Sequence, residues 1–193
     1  HNEVAAASKE LLMQVTLAIK RFDPEAEKPH SYYEEFTVEV EEHFTVLDSL
    51  VKVREEMDES LALRCSCRAS ICGSCAMRVE GHAKLACKTK LINVMDQQSK
   101  VRIEPMNNQP LVKDLVVDMK PFWNKIRDVE PWLQPHGPEP EDEYIAPNDA
   151  MIHLTGVMGC IMCGACVSDC TVLEVDPKFL GPAALAKAYR FVG

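Results

Sequence analysis

No stretch of this chain approaches the roughly 20 consecutive apolar residues that a bilayer-spanning helix requires. The opening HNEVAAASKELLMQ lacks the charged-then-apolar order of a secretion signal and the Arg-rich pattern of a transit peptide. Basic charge is also scarce: 21 Lys and Arg against 30 Asp and Glu leave a net charge of −9. That excludes a phosphate-backbone partner, whose affinity rests on concentrated Lys and Arg, and leaves no polybasic patch for anionic lipid. Cysteine is missing from most of the chain, because all nine lie within Cys65–Cys87 and Cys160–Cys170. A secreted disulfide framework would spread its bridges over a small, core-poor domain. Two tight clusters read instead as metal or redox chemistry, and a soluble, bacterial, cytoplasmic-side protein is the default expectation.

At 193 residues, 47% hydrophobic and 26% charged, the chain can bury a core and carries no signature of wholesale disorder. Met13–Phe22 alternates, with Met13, Val15, Leu17 and Ile19 on one side, and Glu35–Glu42 repeats that period, so both predict half-buried strands. The two prolines of FDPEAEKPHSYY mark the connection between them. Thr45 then opens a helix with Asp48 at the capping-box position, followed by Leu47, Leu50 and Val51 at helical spacing. Strands are predicted at Ala76–Glu80 and Val101–Glu104, with a turn at Gly81. This pattern predicts an α+β domain over residues 1–118. Helix is predicted over WNKIRDVEPWLQ, after which Pro131, Pro135, Pro138, Pro140 and Pro147 crowd a solvated connection containing EPEDE. A second, α-helical domain over 119–193 holds the later cysteines and ends on a helix that starts at Gly181 and Pro182.

In RCSCRASICGSCAMRVEGHAKLAC, Cys67, Cys72 and Cys75 stand as C-x4-C-x2-C, with Cys87 beyond a hairpin. This is the plant-type ferredoxin spacing for a [2Fe–2S] cluster, whose two irons need two thiolates each. Small residues at Ala69, Ser70, Gly73 and Ser74 allow backbone N–H groups to reach the sulfurs and stabilise the reduced cluster. Structural zinc is the rival reading, but it usually takes two C-x2-C pairs a dozen or more residues apart. No histidine sits at a Rieske-like spacing. Cys65 is the spare, either near the cluster or a small buried apolar side chain, as free cysteine usually is. In CIMCGACVSDC, Cys160, Cys163, Cys166 and Cys170 form the bacterial ferredoxin run C-x2-C-x2-C-x3-C. Its first three thiolates cover one cubane and its fourth serves another cluster.

SCRASICGSCAM followed by LAC, then PLVKDLVVDM, CIMCGAC and FLGPAALAKAYRF, in that order, resembles the iron–sulfur subunit of succinate dehydrogenase and fumarate reductase. The resemblance runs from about Met13 to the end. It implies an N-terminal β-grasp, ferredoxin-like [2Fe–2S] domain and an all-α, bacterial-ferredoxin-like domain with [4Fe–4S] and [3Fe–4S] clusters. It assigns Cys67, Cys72, Cys75 and Cys87 to the first cluster, Cys160, Cys163 and Cys166 to the second, and Cys170 to the third. It further implies a FAD-containing flavoprotein partner, a membrane anchor with or without haem b, and a quinone. The location it implies is peripheral, on the cytoplasmic side of the bacterial inner membrane.

No residue of this chain need act as a catalytic acid or base, since substrate chemistry would lie on the flavoprotein. The last two clusters of the family pattern need three further cysteines, expected beyond Gly193, so the chain is expected to be C-terminally incomplete. On that expectation Ile161, Val167, Val172 and Leu173 are left partly exposed. Thr171 stands where the ferredoxin run usually has proline. Glu174 and Val175 stand where ubiquinone-linked members commonly carry two tryptophans, which points to the menaquinone-linked type. Two alternatives stay open. One is a soluble iron–sulfur carrier of a quinone-independent reductase, such as a thiol-linked fumarate reductase or a heterodisulfide-type system; the other is a non-redox structural metal protein.

Overall fold

The computed structural model describes residues 12–134 and 137–192. The reading of the N-terminal segment through residue 11, and that of Pro135, lie outside the described residues. β1 (Met13–Arg21) and β2 (Tyr32–Val40) form an antiparallel hairpin in which Met13 faces Val40 and Arg21 faces Tyr32. The period-2 pattern lands as expected, with Val15, Leu17 and Ile19 on β1 and Phe36, Val38 and Val40 on β2 all buried. β2 starts three residues earlier than its alternation indicated, because Tyr32 and Tyr33 pair with Arg21 and Lys20 while keeping their rings exposed.

α1 (Val46–Glu56) begins as the capping box requires: Thr45 Oγ1 accepts from Asp48 N–H, and the Asp48 carboxylate accepts from Thr45 N–H at 3.0 Å. Its apolar stripe, Val46, Leu47, Leu50, Val51 and Val53, is buried against the sheet. β3 (Ala76–Val79), β4 (His82–Leu85) and β5 (Lys100–Glu104) complete a five-stranded sheet in the order β2-β1-β5-β3-β4. β5 runs parallel to β1 and antiparallel to β3, so the two hairpins meet through the last strand. With one helix crossing this mixed sheet, the fold of this half is a β-grasp. A two-stranded ribbon, β6 (Leu111–Lys113) and β7 (Val116–Val117), leads out of it.

The remainder is helical: α2 (Lys120–Asp128), α3 (Asn148–Met158), α4 (Ala165–Ser168), α5 (Thr171–Val175) and α6 (Pro182–Val192). The chain is therefore α+β. α2 stops at Asp128, not at Gln134 as the sequence pattern predicted. Glu130 takes φ +46 and Pro131 follows, so neither continues the ladder. Phe122 and Ile126 of α2 pack with Val167, Leu173, Ala183 and Ala184 in a core of their own. The expectation of an exposed apolar surface accordingly fails for Val167 and Leu173, which are buried, and holds for Val172 and for Ile161, which is partly exposed. No helix among the described residues is long and apolar enough to cross a membrane.

Candidate functional site: two cysteine loops in contact

The first cysteine loop occupies the connection between α1 and β3. Cys67 and Cys72 are exposed at its tip, Cys75 is buried directly before β3, and Cys87 follows β4. The Ala86 N–H donates to the Cys75 carbonyl at 3.1 Å and so ties the two ends of the site together across the hairpin. Arg68 (φ +55), Ser70 (φ +60) and Gly73 (φ +73) turn the backbone repeatedly into the left-handed region. Alternation of that kind points consecutive N–H groups to one side, which is how a loop makes an anion-accepting concavity. Here the acceptors are sulfurs. The N–H groups of Ala69, Ile71 and Cys72 lie 3.3, 3.4 and 3.3 Å from Cys67 Sγ, and that of Ser70 lies 3.3 Å from Cys87 Sγ.

Cys72 and Cys75 are shifted in opposite directions. Cys72 is pulled down to about 6, first by the Ser74 hydroxyl 3.0 Å from its sulfur and then by backbone donors. Cys75 is pushed up to about 11, chiefly by burial, and proximity to the Cys87 and Cys72 sulfurs raises it further. Neighbouring thiolates repel, and bound iron supplies the positive charge that would hold them all ionised. Four thiols, with backbone donors aimed at Cys67 and Cys87 Sγ and a hydroxyl beside Cys72 Sγ, suit an iron–sulfur cluster in donor type and hydrogen bonding. Among the described residues, no three His, Cys, Asp or Glu side chains converge as ligands of one metal ion. Cys65 stays half-buried against the β-grasp core, next to this loop in sequence.

The second run is built from short helical pieces. Cys160 follows the end of α3, Cys163 precedes Gly164 (φ +82) at the start of α4, Cys166 lies within α4, and Cys170 caps α5. Met162, with φ +59, holds an unusual conformation for a bulky residue between Cys160 and Cys163. Desolvation raises the Cys166 thiol, and the neighbouring Cys163 and Cys160 add like-charge repulsion. A clasp from the other half holds this run. Asn108 Nδ2 donates to the carbonyls of Val167, Ser168 and Cys170, at 2.8 Å to the first, and Asn107 N–H donates to Ser168 Oγ at 3.1 Å. The Asp169 carboxylate in turn accepts from Ala83 N–H on β4.

The two loops meet. Ala76, Met106 and Val117 form a small core against which Cys163 packs, and one cavity is lined by Cys72 and Gly73 from the first loop and Met162 and Cys163 from the second. The sequence spacing brings each set of cysteines together only separately. It misses the Asn108 clasp and the Ile71 donor, for which local sequence carries no signal.

Residues 16–124 match the family described as a 2Fe-2S iron-sulfur cluster binding domain. The chain is 36% identical over 183 residues to a fumarate reductase iron-sulfur subunit of Mycobacterium tuberculosis, covering 94% of this chain and 73% of that protein. It is 38% identical over 181 residues to a mitochondrial succinate dehydrogenase [ubiquinone] iron-sulfur subunit of Oryza sativa, covering 92% of this chain and 63% of that protein. The chain thus spans less than two thirds of the rice relative's length. Its fold superposes with TM-score 0.81 on a chain of the Mycobacterium smegmatis Sdh1 complex in the apo form, at 24% identity, covering 94% of this chain and 76% of that one. That family carries [2Fe–2S], [4Fe–4S] and [3Fe–4S] clusters. From the matched domain, the length of the aligned region and the paired cysteine loops, the chain belongs to the iron–sulfur subunits of succinate dehydrogenases and fumarate reductases.

Proposed function

We propose that this chain relays single electrons between a FAD-containing flavoprotein, where succinate and fumarate interconvert, and a membrane quinone. In this reading Cys67, Cys72, Cys75 and Cys87 hold the [2Fe–2S] cluster. Cys160, Cys163 and Cys166 give three ligands to the [4Fe–4S] cluster, and Cys170 gives one to the [3Fe–4S] cluster. The division of labour falls near residue 118, with the [2Fe–2S] loop before it and the other ligands after it. The clusters supply one-electron redox chemistry when bound. The chain supplies ligands, N–H donors and burial, which set cluster stability and potential.

The observation that carries the relay is the shared cavity, in which Cys72 and Cys163 belong to different cysteine runs yet line one wall-to-wall space. A carrier needs its centres close, and the cavity shared by Cys72 and Cys163 supports that reading. The partners follow from the reading. Substrate chemistry lies on the flavoprotein, and a membrane anchor, with or without haem b, holds this chain peripherally at the cytoplasmic face of the inner membrane. Glu174 and Val175, the latter 87% exposed, stand where two tryptophans mark ubiquinone-linked members, and this favours menaquinone.

Anaerobic reconstitution with iron and sulfide tests the ligand set. Cys75→Ser abolishes or severely weakens the EPR signal of the reduced [2Fe–2S] centre, whereas Cys65→Ala leaves it largely intact. Loss with Cys65→Ala and retention with Cys67→Ala would overturn the assignment. The relay itself is read by mixing the loaded protein with its flavoprotein partner and succinate. Cluster reduction that requires the flavoprotein supports it, and reduction equally fast without the flavoprotein refutes it.

A further inference from the structure

Gly73 separates two of the first loop's thiols and has φ +73. That conformation alone favours glycine, but its surroundings impose a second demand. A Cβ on Gly73 would stand 2.7 Å from Cys163 Cβ and 2.8 Å from Cys163 Cα. These are backbone and first side-chain atoms, not the end of a flexible chain that could swing away. Gly81 provides the contrast: its φ is +76, yet the nearest atom to a Cβ there is Arg102 Nη2 at 3.5 Å, an ordinary contact. The two glycines share a backbone conformation and differ in what faces them.

Both loops are tied to the same small core. The Gly73 carbonyl accepts from Ala76 N–H at 3.1 Å, and Ala76 belongs to the small core that also receives Cys163. Next to Cys163, a Cβ on Gly164 would stand 3.1 Å from Met119 Cε, so a methionine side chain borders that side. We propose that Gly73 is a positioning residue: its missing side chain seats the first cysteine loop directly on Cys163 and fixes the separation of the two cysteine runs. The consequence for electron exchange rests on the relay reading above. One electron leaves one centre as the other gains it, with no bond formed or broken. Such exchange weakens steeply with distance, so a backbone contact between the runs sets its rate.

Asparagine separates the two demands, because it tolerates left-handed φ but carries a Cβ. Gly73→Asn and the control Gly81→Asn are made in the protein as isolated with its clusters, and iron and sulfide content is measured first. Magnetic interaction between the centres is then read from the EPR relaxation of the reduced [2Fe–2S] signal. Gly73→Asn is expected to weaken that interaction several-fold, and Gly81→Asn to leave it unchanged. Hydrogen exchange on the cluster-free chain reads the same contact if loading fails. Protection over residues 160–170 is expected to fall in Gly73→Asn while β3 keeps its own. Unchanged relaxation in loaded Gly73→Asn, or unchanged protection in the cluster-free variant, overturns the proposal. A wild-type protein that binds no second cluster even when purified in its assembled complex refutes the relay reading and leaves the contact to be judged by exchange alone.

Discussion

Ser74 is the side chain through which the first site can be tuned without being broken. Its hydroxyl lies 3.0 Å from Cys72 Sγ, and with Cys72 as an iron-bound thiolate, as proposed above, the hydroxyl is the donor of this pair. A donor to a ligand sulfur favours the reduced, more negative cluster. Ser74→Ala should therefore keep the [2Fe–2S] centre and make its potential more negative by roughly 20–60 mV, the equivalent of one modest hydrogen bond for a one-electron couple. An EPR-monitored redox titration measures it, and an unchanged or more positive potential would contradict the donor role. Away from the cysteines, Arg21 carries the heaviest polar burden. It donates to Asp114 at 3.0 Å, to Asp58 at 2.6 Å and to Glu34 at 2.5 Å, with its side chain almost wholly buried. Asp114 also accepts from the backbone N–H groups of Phe22 and Ala62, so it joins β1 to two loops. Removing it in Asp114→Ala leaves a buried guanidinium short of a partner and should cost about 3–5 kcal/mol, read from the urea midpoint. The Asp58 carboxyl lies below its usual range, held there by Ser60 and then Arg21 against the opposing effect of burial. Its contribution is therefore complete above the ordinary carboxylate pKa and is lost as pH falls through the depressed value, a loss Asp58→Asn should flatten. None of this network was legible in the sequence, because its members lie up to 93 residues apart.

Local signals dictated most of the secondary structure. The Thr45 and Asp48 pair specified the start of α1 through contacts within four residues, and alternation specified β1 because one face had to be apolar. Where the reading went too far, at the end of α2, a helical apolar spacing persisted across Glu130 and Pro131 while the backbone did not. The cysteine spacings are local patterns of the same kind, read from residues close together in the chain. The buried residues of the β-grasp core all fall between Val15 and Leu115. Residues 1–118 alone, reconstituted with iron and sulfide, should accordingly give the rhombic EPR signal of a reduced [2Fe–2S] centre. Failure to fold, judged by far-UV circular dichroism, would show that the helical half is needed for that core. The second run depends more on its neighbours. Its helices α4 and α5 are four and five residues long, too short to be stable alone, and Asn108 ties them down by donating to the carbonyls of Val167 and Ser168 in α4 and of Cys170, the cap of α5. Asn108→Ala should cost about 1–3 kcal/mol and raise hydrogen exchange over residues 165–171 before any other segment.

At the scale of the whole molecule, the proposed relay depends on contacts between segments far apart in sequence. Asn108 and Ser168, Ala83 and Asp169, and Gly73 and Cys163 each pair residues from opposite halves, and no periodicity or motif announces such pairs. Fluorescence can report whether the halves close as described. The chain has two tryptophans. Trp123 lines the cavity that Cys72 and Cys163 share, while Trp132 lies outside it in the proline-rich connection, half exposed. Iron–sulfur clusters absorb across the region of tryptophan emission, so a nearby cluster drains the excited indole by energy transfer. Loading the Trp132→Phe protein, which keeps only Trp123, should therefore quench most of its emission. The Trp123→Phe protein should lose much less. Chelating the iron under anaerobic conditions should restore the signal in the first variant, which separates quenching by the cluster from a change in packing. Equal quenching in the two variants would mean that Trp123 does not stand between the cysteine loops, and the cavity that joins them would have to be redrawn.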